Sequence, residues 1–249
     1  MVSNMKKYIH IMKKMLFLVP MAMMASCTIY HPQSVDIPLI DHQGEWRGDV
    51  AVGATSLVVI PDNVSLNATV TYGVTDWLAG QVHANYGVDN YYLQAAPGVY
   101  KAIGEKFVVE GYVGVGYGGV NHDESENVTD TSTVYRVYDG HFVLPFVQLN
   151  FGWRRLGPVE IGFGVKAGGY LPDMEYHRLR ATEPPTVKYE EIYTTPNFLL
   201  EPHVQLRIGG EHVNFTLRAG YSFLSDLDNG AERMTYDRFG LSMGLGFNF

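Results

Sequence analysis

The sequence holds a single cysteine, Cys27, so an internal disulfide is excluded. After the N-terminal leader it has no run of 18 apolar residues, so no transmembrane helix follows. Charge is sparse, at 18% of residues, and its balance is −8. With no lysine or arginine cluster outside the N-terminus, that balance argues against a nucleic-acid partner. GxSxG, HExxH and P-loop patterns are absent, and the chain gives no motif for a metal, a cofactor or catalysis. What it has in quantity is 27 glycines and 17 tyrosines, which suit an all-β chain.

The last stretch, residues 236–249, sets the pattern. One alternate set is Phe239, Leu241, Met243, Leu245, Phe247 and Phe249, and the interleaved set is Arg238, Gly240, Ser242, Gly244, Gly246 and Asn248. Strand side chains alternate faces, so one face is wholly apolar and the other polar or glycine. At the chain's 46% hydrophobic content, six apolar residues in a row at alternate positions arise by chance about once in a hundred trials. Lipid on one side and a polar lumen on the other produce such a strand. The terminal aromatic, Phe249, resembles the C-terminal signal by which the barrel-assembly machinery recognises bacterial outer-membrane barrels.

At the other end, Lys13 and Lys14 precede an apolar run that closes on Met24-Ala25-Ser26-Cys27. A basic stretch, a short apolar stretch and small residues before a cut describe a secretory signal peptide over residues 1–26. Small residues before the only cysteine resemble the lipobox of bacterial lipoproteins, which implies an acylated Cys27. An ordinary signal peptide with an incidental cysteine is the alternative, and Met12 would open a more compact leader. Residues 27–43 have no clear period, and Pro32 and Pro38 disfavour regular structure. They read as an extended, lipid-anchored tether on the periplasmic side, with Ile37-Pro38-Leu39-Ile40 apolar enough to pack somewhere. The periplasmic end of the lumen, near Arg47, Asp49, Glu160 and Arg207, could also take a plug from it.

Residues 44–249 divide into ten segments of spanning length. These are 45–55, 64–73, 77–87, 91–103, 106–118, 141–153, 159–170, 198–208, 212–224 and 236–249. Each places apolar residues at alternate positions, for example Val213, Phe215, Leu217, Ala219, Tyr221 and Phe223 against Asn214, Thr216, Arg218 and Ser222. The fourth is the least regular, and Pro97 in it suggests a bulge. The sixth turns Phe142, Leu144 and Phe146 inward. The expected fold is therefore an all-β, antiparallel, up-and-down transmembrane barrel of about ten strands.

Short turns at 74–76, 104–105, 154–157 and 209–211 alternate with loops at 56–63, 119–140, 171–197 and 225–235, with the short 88–90 on the loop side. In such barrels short turns are periplasmic and long loops extracellular. Trp46, Trp77 and Trp153 all fall near the short-turn end, where a periplasmic aromatic belt belongs. The tether, the Gly44-Glu45 opening and Tyr72-Gly73-Val74-Thr75-Asp76-Trp77-Leu78-Ala79 resemble a family of small outer-membrane barrel lipoproteins from Bacteroidota. That resemblance implies no catalytic activity. Thr28 to Pro32 lack the acidic run associated with surface export, which points the tether to the periplasm.

Inward positions carry Arg47, Asp49, Glu110, Glu160, Lys166, Glu201, Arg207, Arg218 and Arg238. Ten strands leave a narrow, mostly filled lumen, so these charges are expected to pair as a network. A narrow pore or a small-ligand-binding barrel is the alternative. An outer-membrane hydrolase or acyltransferase would need a rim constellation from His122, Asp123, Glu124, His141, Asp173, Glu175 and His177, which no spacing enforces. The chain is therefore expected not to be an enzyme, with a structural or interaction role at the envelope. Its partners would be outer-membrane lipid, the barrel-assembly machinery and an envelope protein or glycan met by the acidic, tyrosine-bearing outer loops.

Overall fold

A computed structural model describes the backbone of residues 29–33, 35–55, 62–129, 132–180, 186–225 and 236–249, and their side chains except 62–63, 123–129, 132–136, 155, 178–180 and 186–189. Cys27 and residues 1–26, the expected signal peptide, lie outside the described residues. The strands are β1 Trp46–Thr55, β2 Asp62–Gly73, β3 Leu78–Gly87, β4 Asn90–Ile103, β5 Phe107–Thr129 and β6 Ser132–Leu156. They continue as β7 Val159–Arg180, β8 Thr186–Tyr193, β9 Asn197–Gly209, β10 Val213–Tyr221, β11 Phe223–Leu224 and β12 Phe239–Asn248.

Register reduces these twelve segments to ten staves. β7 pairs Arg178 with Tyr189 of β8 and Tyr170 with Asn197 of β9 on one continuous count, so β8 and β9 are one stave interrupted at Thr194-Thr195-Pro196. β10 and β11 likewise share one register against β9, broken at Ser222. Each stave pairs antiparallel with its neighbours, and β1 against β12, from Arg47↔Asn248 to Thr55↔Gly240, closes the ring. Phe249 completes the seam by exchanging two backbone hydrogen bonds with Trp46, at 2.7 and 2.9 Å. The expected ten-strand closed barrel is the observed fold.

The faces also follow the alternation. Val50, Val52, Leu66, Val70, Val82, Val113, Val115, Leu149 and Leu245 are exposed outside, while Arg47, Asn67, Thr69, His83, Glu110, Gln148 and Arg207 are buried inside. An apolar exterior over a polar interior inverts a soluble protein and fits a strand cylinder solvated by lipid. Leu217 sits outside in mid-strand, between Leu206 and Met243 on the adjoining staves. Leu217→Arg should therefore cost about 2–4 kcal/mol, the price of a charge near the bilayer midplane. Loss of the fast-migrating folded band on unheated electrophoresis would report it, whereas Thr216→Val on the inner face should keep that band.

Several sequence expectations are corrected. The segments 119–140 and 171–197 are not loops over most of their length. β5 and β6 stay paired from Gly119↔His141 to Thr129↔Ser132, and β7 and β8 from Met174↔Tyr193 to Arg180↔Thr186. These strands rise as a wall beside the tight β3–β4 turn at Val88-Asp89. Pro97 makes no bulge. β4 keeps one register on both sides of it against β3, and its ladder to β5 only skips Ala96 and Pro97 before resuming in step. A proline at that position removes a donor without inserting a residue.

The tether is corrected most. Residues 29–33 and 35–40 run inside the barrel, with Ile29, Tyr30, Val35, Ile37, Leu39 and Ile40 each at most 1% exposed. Of the described residues up to 43, only His42 and Gln43 are exposed, at the short-turn end. Ile29 stands at the long-hairpin end, where Tyr170 donates a hydrogen bond to its carbonyl at 2.9 Å. The segment reaches the short-turn end only at Gly44, whose amide donates to the Gly73 carbonyl at 2.8 Å. The expectation of an N-terminus at the short-turn end fails for the residues described. The apolar run Ile37-Pro38-Leu39-Ile40 packs because the lumen shields it from water.

Candidate functional site: the plugged lumen

The lumen has two zones. Toward the long hairpins it is aromatic: Tyr92, Phe142, Tyr170 and Tyr30 of the plug form one buried cluster, continued outward by Tyr138 and Tyr176. Tyr30 meets Tyr170 edge-on at 5.4 Å and Phe142 at 5.7 Å, geometry that aromatic quadrupoles favour. Inward glycines make room for these rings. A Cβ at Gly116 would strike the Tyr92 hydroxyl, and one at Gly114 would meet Phe146 Cζ at 2.7 Å.

Toward the short turns the lumen is charged, and the plug supplies half of its partners. Arg207 donates through Nη2 to both Asp36 oxygens, at 2.6 and 2.5 Å. Its Nη1 lies 3.3 Å from the Pro38 carbonyl and 3.6 Å from Glu160. Arg47 pairs with Glu160, and Arg218 with Asp49, each through direct contact. Arg154 bridges Asp41 at 3.0 Å and Glu45 at 2.8 Å. Buried charges of this kind persist only where each has a close partner.

The plug backbone has no strand to pair with, so lumen side chains satisfy it. Gln205 accepts from the Ile37 amide at 3.1 Å and donates to the Ile37 carbonyl at 2.8 Å. Glu110 accepts from the Ile40 amide at 2.7 Å. Glu201 takes the Gln33 amide at 2.6 Å and the Tyr30 hydroxyl at 2.8 Å. Leu39 has a φ of 56°, in the left-handed region that branched side chains rarely occupy. That conformation turns its carbonyl toward two guanidiniums, Arg154 at 2.8 Å and Arg47 at 3.1 Å. Beneath it all, a cavity of about 520 Å³ opens on the short-turn side, walled by Arg154, Glu160, Arg207, Asn214 and Asn248.

The inward charges expected from the sequence fall as follows. Arg47, Asp49, Glu110, Glu160, Lys166, Glu201, Arg207 and Arg218 all face the lumen; Lys166 donates to Gln94 at 2.9 Å and lies 4.9 Å from the Phe146 ring. Arg238 does not join them. It precedes β12, is exposed, and sits 5.6 Å from the Tyr236 ring, because the last stave begins only at Phe239. A leucine at Arg218 would strand buried Asp49, so that position is not a tolerant lumen site. Trp46, Trp77 and Trp153 are 50%, 60% and 40% exposed on the outside near the short turns, with Trp46 against Tyr72 and Trp153 against Phe107.

Sequence reasoning missed Tyr30, Asp36, Asp41, Leu39 and Arg154. An acidic residue inside an otherwise apolar, proline-bearing segment, as at Asp36, was the available signal. The rim histidines do not converge. His122 faces inward and bonds Asp89 at 2.7 Å, whereas His141, with Asp173 at 3.7 Å, is exposed on the outer side of the wall. His177 lies beside Glu175 at 3.2 Å, and the side chains of Asp123 and Glu124 are outside the described set. Asp41, His42 and Glu45 approach one another closely enough for a metal, but Arg154 already bonds both carboxylates.

No family model matches the chain, and no curated protein matches it in sequence. Among solved structures, it is similar to the translocator domain of the autotransporter NalP from Neisseria meningitidis, at 10% identity over 84% of this chain and 89% of that one, with a TM-score of 0.26. It is also similar to outer-membrane expressed OmpT of Vibrio cholerae, at 9% identity over 85% of this chain and 100% of that one, with a TM-score of 0.23. The likeness is loose and concerns architecture alone. The closed antiparallel ladder, the apolar exterior and the polar, charge-paired interior make this chain an outer-membrane-type β-barrel of ten staves.

Proposed function

We propose that this protein is a lipid-anchored barrel of the outer membrane whose lumen is sealed by its own N-terminal segment. Its role is structural or interactive at the cell envelope, not transport or catalysis. The observation that carries the reading is the bidentate Asp36–Arg207 pair, both side chains at most 1% exposed, with the plug residues around it equally buried. A lumen filled by buried side chains and held by paired charge supports a barrel closed to ions. The short turns and the tryptophan belt are assigned to the periplasmic face, by the usual disposition of such barrels. The β5–β8 wall is then the outward surface for an envelope protein or glycan.

Planar-bilayer recording tests the seal. The unmodified protein should give no steady conductance, and a stable, high conductance would reject the reading in favour of a pore. Anchoring rests on Met24-Ala25-Ser26-Cys27. Mass spectrometry of the purified native protein should find Cys27 acylated, and Cys27→Ala should remove the lipid while leaving the barrel foldable. A small-ligand reading has one observation in its favour, the 520 Å³ cavity at the short-turn mouth with Arg154 and Arg207 in its wall.

A further inference from the structure

The plug has a direction. Its contacts, taken in chain order, descend the barrel one level at a time. Ile29 and Tyr30 accept hydrogen bonds from Tyr170, at the top of the paired part of β7 with β9, and from the Asp237 amide beyond the start of β12. Pro32 packs over Gly240, near the long-hairpin end of β12, where a glycine Cβ would stand 3.1 Å from the proline Cβ. Gln33 then meets Glu201, Ile37 meets Gln205, and Asp36 and Pro38 meet Arg207, an ordered descent along β9. Ile37 also fills the space over Gly162, and Leu39 that over Gly152. Gly44 finally bonds to Gly73, at the short-turn end, where β1 begins. Fifteen extended residues reach at most about 50 Å, more than the roughly 30 Å hydrocarbon thickness.

We infer that the plug threads the barrel from the long-hairpin mouth, where Ile29 stands, to the short-turn mouth, so that its N-terminal end faces the outer side of the membrane. The side assigned here rests on the periplasmic placement of the short turns proposed above. The threading itself does not. For the N-terminus to return to the short-turn side, the chain would have to pass back down a lumen whose upper zone is packed with Tyr30, Tyr92, Phe142 and Tyr170, none more than 4% exposed. The barrel is thus a conduit for its own N-terminus. Cys27 precedes Ile29 by two positions in the sequence, and the mouth at which Ile29 stands is opposite to the periplasmic tether expected from the sequence.

Two measurements test this. A short epitope is placed before Ile29, in the turn 104–106, or in segment 226–235, and intact cells are probed with antibody. The tags before Ile29 and in 226–235 should both stain without permeabilisation, and the tag at 104–106 only after it. Grouping of the first tag with the turn tag would overturn the thread. If the first tag groups with 226–235 but both stain only after permeabilisation, the thread stands and the assignment of sides fails. Retention of the folded, heat-modifiable band confirms that each tagged chain is assembled. Independently, Pro32→Cys with Gly240→Cys and Ile37→Cys with Gly162→Cys should each oxidise to a disulfide within the folded barrel, as their spacing allows. Failure of both pairs to crosslink in correctly folded protein would also overturn the inference.

Discussion

Arg207→Ala is expected to be the most damaging single substitution in the lumen. It removes the bidentate partner of Asp36, whose side chain is fully buried, and leaves Arg218 at 4.0 Å as the remaining close cation. Removing one member of a buried pair typically costs about 3–5 kcal/mol, because the other charge is left without its partner. The temperature at which the folded band disappears on electrophoresis should fall sharply. The pair Asp36→Asn and Arg207→Met should recover part of the loss, since no charge then remains to be stranded. An unchanged unfolding temperature in Arg207→Ala would remove the Asp36 contact from the forces that hold the plug. Steady bilayer conductance should appear in Arg207→Ala if the plug loosens, and be absent in the double variant.

Replacement of residues 29–41 by a flexible glycine–serine stretch should have the second large effect. Six apolar side chains of this segment are at most 1% exposed. At about 1.5–3 kcal/mol for each fully buried side chain, their burial contributes about 9–18 kcal/mol at most. The replacement also takes the Asp36 carboxylate from Arg207, the Asp41 carboxylate from Arg154 and the Tyr30 hydroxyl from Glu201. The barrel should then unfold more readily and show ion flow where the intact protein is silent. A replaced chain that is equally stable and equally closed would show that the ten staves seal themselves without the plug, and the proposed function would lose its basis.

The ladder-forming part of the chain was readable because its signal is local. Side chains two apart on one strand meet the same medium, and lipid contrasts sharply with a polar lumen, so Val213 to Phe223 and Phe239 to Phe249 display their outer faces outright. The contrast fades above the membrane. In β5 beyond Val120 the alternation is lost, Asn121-His122-Asp123-Glu124-Ser125-Glu126-Asn127 being polar throughout, so paired strands pass for an acidic loop. Arg238 was misplaced for a similar reason, the alternation having been carried one residue past the end of its stave.

By itself, then, the sequence determined the ten-stave cylinder, which face of each stave is apolar, and all but one of the charges it expected inward, all through a period of two residues. Only the tertiary structure decided what those charges bind and where the N-terminal segment goes. Asp36 and Arg207 stand 171 positions apart, and Tyr30 and Glu201 likewise. The plug has no periodicity because its partners are side chains from many staves, met one at a time along the lumen. A segment held in that way carries no internal pattern, and its direction exists only once the barrel has closed around it.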